Sequence, residues 1–272
     1  MTRLAHRSKA EPTNPDAWPR EKLLAVLAVG LIVGILLVAS TATWVINALR
    51  PEPIASADVA GSDDAVQDQR RDALAAAPMA QVDRDAAFSG APAWTPAPAI
   101  LIPEPAVPRG PAGVPTGFPQ TPEGAVGQLA AIDQTVLQAM SLQATSDVHA
   151  AWSLPGAPPV QDWVLAGHVR SFLETAKQGT TKDVTTLVEV TPVGAQVKGT
   201  DGDDWVLACV LYDVRATIRT TSRIGFGRCE RLQWADGRWQ IAPGIQPALA
   251  PSTWPGSQET KDAGWLTWTL IS

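Results

Sequence analysis

The chain has 272 residues, a net charge of −6 and 45% hydrophobic residues, unevenly spread. Two cysteines exclude a four-cysteine zinc site or an iron–sulfur cluster, and three histidines leave little for metal chemistry. The acidic balance gives no electrostatic ground for direct nucleic-acid binding, and neither a metal nor a cofactor is expected.

The first element is residues 23–49, LLAVLAVGLIVGILLVASTATWVINAL, an uncharged run bounded by Arg20, Lys22 and Arg50. A bilayer core of about 30 Å takes about 20 apolar residues in a helix, so the run predicts a transmembrane helix. Arg3, Arg7, Lys9, Arg20 and Lys22 crowd the leading tail, 1–22, and place it in the cytoplasm. The predicted location is the cell membrane, single-pass, with everything after Arg50 extracytoplasmic. A cleaved signal peptide has a shorter apolar region, roughly 7–15 residues. Its nearest A-x-A site here, Ala55-Ser56-Ala57, lies beyond the run. Gly30 and Gly34 have the G-x-x-x-G spacing that lets two helices approach, a candidate for self-association of the span. Glycine is also simply common in membrane helices.

Residues 50–110 are rich in Ala, Pro, Asp and Gln and are expected to form a disordered linker. As a coil of roughly 60 residues, it would reach on the order of 45 Å. Its exception is Ala99-Ile100-Leu101-Ile102-Pro103, an apolar patch expected to dock on the folded domain or a partner.

An α+β domain is expected over 111–250. Thr121-Pro122-Glu123 reads as a helix start: a capping hydroxyl, a first-turn proline and an acid at the positive end of the dipole. Val126, Leu129, Ile132, Val136, Leu137 and Met140 follow at helical spacing. A short helix near 146–152 and a third over 159–178 complete the helical part. The pattern then changes to period two over 186–198, 205–219 and 223–234, with a short strand from Arg238. Helices followed by a strand meander predict helices packed on a curved antiparallel sheet. Residues 251–272 read as a tail with a helical turn near 256–263, docked by tryptophans. Most of the eleven tryptophans lie after residue 150, marking a packed C-terminal core.

If the central hairpin pivots about Arg219, Cys209 faces Cys229 and Val214 faces Ile224. Directly opposed residues are within disulfide reach, and an exported domain is where such a bond persists. The alternative is two buried thiols on neighbouring strands. Arg215, Arg219, Arg223, Arg228, Arg231 and Arg238 cluster in and beside this hairpin and are candidates for a partner-facing basic surface. The simpler reading, which leads, is a solvated strand face paired with Asp213, Glu230 and Asp236. His168, with Asp162, Glu174 and Tyr212 nearby, is the one candidate for a cavity site. No second histidine in the strands completes it, so no catalytic residue is assigned. Asp201-Gly202-Asp203-Asp204 lacks the spaced ligands of a calcium loop and reads as a turn.

The order of tail, span and exported domain resembles the bitopic scaffold subunits of conjugation and type IV secretion systems, including TcpC-like proteins. Gly113-Val114-Pro115-Thr116-Gly117-Phe118-Pro119 and Pro251-Ser252-Thr253-Trp254-Pro255-Gly256, with Ala263-Gly264-Trp265, look similar to stretches in actinobacterial integrative-element membrane proteins. The resemblance implies a nuclear-transport-factor-two-like (NTF2-like) domain. It implies a non-enzymatic scaffold that self-associates, as a homo-oligomer, and contacts other subunits of a DNA-transfer channel. The alternatives are an accessory protein of another export or lipid-uptake system, as in Mce-associated proteins, or a membrane-tethered ligand binder or enzyme using the cavity of the fold.

Overall fold

In a computed structural model of the protein, residues 62–271 are described, and they are organised around one strand. Trp205–Thr217 (β3) opens with WVLACVLY, and every residue from Trp205 to Asp213 is buried. A strand that is apolar on both faces needs cover on both faces. Val206, Ala208, Val210 and Tyr212 point into the main core, whereas Trp205, Leu207, Cys209 and Leu211 point to the opposite side.

The inner cover is helical. Pro122–Ala139 (α2), Leu142–Trp152 (α3) and Val164–Thr175 (α4) pack on the sheet. The Thr121 side chain accepts a hydrogen bond from the Gly124 amide at 3.0 Å and so caps α2. Val126, Leu129, Ile132 and Val136 form the buried stripe of α2, and Met140 ends it in a left-handed turn at φ 39°. The expected third helix is shorter than 159–178, because residues 159–163 form hydrogen-bonded turns and Trp163 is the residue at which α4 starts.

The outer cover comes from the two ends of the described chain. Ser62–Ala76 (α1) lays Leu74 and Ala75 against Trp205 and Leu207. Met79 and Val82 then pack beside Cys209, Leu211 and Trp265, and Ala87 meets Ile224. On the far side of the sequence, residues 250–256 run directly over Thr221–Ala235 (β4). There a Cβ on Gly225 would stand 1.8 Å from the Thr253 carbonyl oxygen, and one on Gly227 2.4 Å from that of Pro251. Glycine is what lets the tail lie flat on the strand.

Six strands form one curled sheet. With Ala99–Pro103 (β1), Leu187–Thr200 (β2), Arg238–Ile241 (β5) and Leu266–Ile271 (β6), the order is β1-β6-β2-β3-β4-β5. β1 and β6 pair in parallel, and the other neighbours are antiparallel. A five-residue helix, Gln258–Asp262 (α5), leads into β6.

Three expectations are corrected. The sheet is mixed, so the purely antiparallel, NTF2-like sheet is not the one this chain builds. Residues 62–110, expected to be linker, contain α1, a 3-10 turn at Arg84–Ala87 and β1, whose Ile100 and Ile102 are buried in the main core. The tail likewise supplies a strand, β6, seated between β1 and β2. Composition concealed all this, because these segments carry few apolar residues and bury only some of them, such as Ala75, Ala87, Ile100, Ile102 and Trp265, against the sheet and its core. Among the described residues no helix is long and apolar enough to cross a membrane. The predicted span 23–49, with Gly30 and Gly34, and the tail 1–22 lie outside the described residues.

Candidate functional site

The inner face of β4 carries charge where apolar side chains are the rule. Arg228 and Glu230 share the core-facing side of β4 with Phe226 and Leu232, and both are buried. Above them, Asp133 interrupts the apolar stripe of α2 and is completely enclosed. Arg228 Nη1 lies 2.6 Å from Asp133 Oδ1, and the Tyr212 hydroxyl donates to Asp133 Oδ2 at 2.8 Å. The other Arg228 amino group pairs with Glu230, and the Trp163 indole N–H donates to Glu230 Oε2 at 2.9 Å. The guanidinium also sits 5.5 Å from the centre of the Trp163 ring.

Burial raises the Asp133 carboxyl above the ordinary carboxylate range, with Arg228 pulling the other way. Burial lowers Arg228, but Asp133 and Glu230 outweigh it and leave the guanidinium more basic than usual. Tyr212 is pushed well up, first by desolvation and then by the Asp133 charge. Both Asp133 oxygens are hydrogen-bonded, and Glu230 also accepts from the Arg231 amide at 3.2 Å. The network therefore ties a helix to two strands, and its carboxylates are committed as acceptors.

His168 on α4 stands at the edge of this network, edge-on to Phe226 with ring centres 5.1 Å apart. Burial, aided by the nearby Arg228 charge, lowers its pKa to about 4, so the ring is neutral at neutral pH. A cavity of about 110 Å³ opens here, lined by His168, Phe226, Arg228, Leu249 and Ser252 among others. His168 Nδ1 and Arg228 Nε have no hydrogen-bond partner among the described residues. The companions expected for His168 are elsewhere: Asp162 and Glu174 are exposed, and the Tyr212 hydroxyl is bound to Asp133. Trp152 and Trp163 fill the main core, while Trp205 packs on the outer face.

The six arginines do not form one outward basic face. Arg228 is buried in the network, and Arg231 is buried on the outer side with Asp72 and over the Trp205 ring at 5.5 Å. Arg223 pairs with Asp213 at 2.7 Å and lies 4.3 Å over Trp254. Arg238 covers Trp152 at 4.7 Å and donates to the Ala151 carbonyl at 3.1 Å. Only Arg215 and Arg219 are exposed, and Arg215 leans on Asp213 at 3.2 Å. The correction has a plain cause: long arginine stems cover tryptophans, and the tail and α1 roof the face that looked solvated.

Cys209 and Cys229 are directly opposed in the β3–β4 register, as are Val214 and Ile224. The two sulfurs lie at bonding distance, with Cα atoms 4.0 Å apart, beneath Met79. No group of side chains suited to a metal ion occurs among the described residues. Of the residues missed from sequence, Asp133 had a signal: it falls on the buried stripe one helical turn from Leu129. Comparison with protein-family models, curated proteins and solved structures returns no match.

Proposed function

We propose that the protein is a non-enzymatic assembly subunit anchored in the cell membrane by residues 23–49, with its folded domain outside the cytoplasm. The observation that carries this reading is how the domain spends its interior charge. Asp133, Arg228, Glu230, Tyr212 and Trp163 bind one another across α2, β3, β4 and the start of α4, in a core filled by Trp152 and Trp163. Such a network stiffens a body that works by contact. The apolar run and its basic leading flank support the anchor and its direction.

The tether is shorter than composition suggested. Only residues 51–61 separate Arg50 from α1, a reach of no more than about 40 Å when fully extended. A rigid body held this close to the bilayer suits lateral contacts with other membrane subunits. The resemblance of the whole layout favours a conjugative DNA-transfer machine as the setting, with self-association and channel subunits as partners. The test is photo-crosslinking of the full chain in its host, with identification of captured proteins and protease digestion of intact cells. Capture of transfer-channel subunits and digestion of the domain from outside are expected. A domain protected inside the cell overturns the reading.

A second reading rests on the cavity beside His168. Two unpartnered nitrogens in about 110 Å³ suit a small ligand carrying a hydrogen-bond acceptor. Nuclear magnetic resonance of the His168 ring during a screen of small amides and carboxylates decides it: a saturable shift supports this reading, and none removes it.

A further inference from the structure

We propose that two copies of the chain pair through Trp94, each placing its indole in a groove on the other; this deepens the self-association part of the reading above. Trp94 is 94% exposed, a large apolar side chain held in water. It is not on a loose loop. The Ala93 amide donates to the Gly256 carbonyl at 3.0 Å, the Trp94 amide to Gln258 Oε1 at 3.3 Å, and Lys261 to the Thr95 hydroxyl. Pro92, Pro96 and Pro98 stiffen the same strap. The indole is thus presented in a fixed place, which removes much of the ordering cost of binding.

Beside it lies a groove of about 310 Å³ lined by Pro92, Pro96, Val193, Trp265, Leu266 and Lys261. That volume is at the lower end for ligand pockets, which start near 300 Å³, and suits one aromatic side chain. Its wall is firm, because the Trp265 indole N–H is anchored to the Pro251 carbonyl at 3.1 Å. Lys261 supplies a cation to the face of an incoming ring. Trp94 cannot fill this groove in its own chain, since the strap that carries it forms one wall. Knob and hole are contiguous, so a two-fold axis beside the strap satisfies both at once and closes the assembly at two. Tryptophan is among the residues enriched at binding hot spots, which cluster in well-packed pockets near the interface centre.

The experiment uses the full chain in detergent, with p-benzoylphenylalanine at position 94 and two differently tagged copies. Irradiation should join one copy to residues 256–267 of the other. In sedimentation, Trp94→Ala should raise the dimer dissociation constant at least roughly 30-fold, the size of a hot-spot loss. Ala97 also lines the groove, and Ala97→Phe, which narrows it and leaves Trp94 in place, should do the same. A wild-type chain that stays monomeric overturns the proposal. So does a dimer indifferent to Trp94→Ala, or a crosslink found only on lipid or on another protein. A dimer that persists through the span in Trp94→Ala would sink this pairing and leave the membrane-scaffold reading standing.

Discussion

Asp133 and Arg228 meet at 2.6 Å, a buried ion pair between α2 and β4. Breaking a buried pair strands the partner's charge, typically at a cost of about 3–5 kcal/mol. Here Arg228 also serves Glu230, so its loss strands two carboxylates. Arg228→Met should therefore lower stability by about that amount, measured by urea unfolding of the full chain. Arg228→Lys should not rescue it, because a single ammonium cannot span both acceptors in the same plane. An Arg228→Met variant as stable as the parent would refute the assignment of this network as the interior brace.

The Cys209–Cys229 bond closes a short loop, with a sequence separation of 20. By chain entropy such a closure is worth about 3 kcal/mol. The double change Cys209→Ala, Cys229→Ala should lose about that much, and thiol titration of the folded parent should find no free thiol.

His168 makes stability depend on pH. Its pKa is about 4 in the folded chain against an ordinary 6.5, so the unfolded state binds more protons between these values. Its contribution is full above pH 6.5 and is lost as pH falls towards 4, by about 3 kcal/mol in all. Asp133, raised by burial, has the opposite slope. The comparison of parent with His168→Gln isolates the histidine: the parent should lose stability more steeply on acidification. Parallel pH curves would show that the ring is not held neutral.

Gly227→Ala would drive a methyl group into the Pro251 carbonyl, only 2.4 Å from the ideal Cβ position. Backbone cannot yield as a flexible side chain does, so a loss of about 1–3 kcal/mol is expected. Faster amide hydrogen exchange across residues 250–256 should accompany it, while α2 keeps its protection.

Charge as well as apolar contact holds α1 to the domain. Asp201 receives Arg71 at 2.7 Å and Arg70 at 3.5 Å, and Lys198 donates to the Ala75 carbonyl at 3.1 Å. Partial desolvation pushes the Asp201 carboxyl up, but hydrogen bonds from Gln67 and Arg71 and the two arginine charges hold it below the usual range. Asp201→Asn, or 1 M salt, should speed hydrogen exchange in residues 62–76 before the core responds. Unchanged exchange under both conditions would mean that Leu74 and Ala75 alone hold the helix.

Much of the inner half of the domain is written in local pattern. The capped start at Thr121, the stripe Val126, Leu129, Ile132 and Val136, and the pivot that opposes Cys209 and Cys229 are short-range features, set by helix period and hairpin symmetry. The outer half is not. WVLACVLY shows in the sequence that β3 needs two covers, yet nothing local says that Leu74, Met79 and Ala87 supply one of them.

By itself, the sequence determined the uncharged run at 23–49, the order of the three central helices α2, α3 and α4 before strands β2 to β5, and the register of the central hairpin. Only the tertiary structure decided which chain covers the second face of the sheet, where β1 and β6 enter, and that Arg228 and Arg231 turn inward. Periodicity records which residues seek burial. Their partners can be far away in the chain, 159 positions for Arg231 and Asp72, and only packing brings them together.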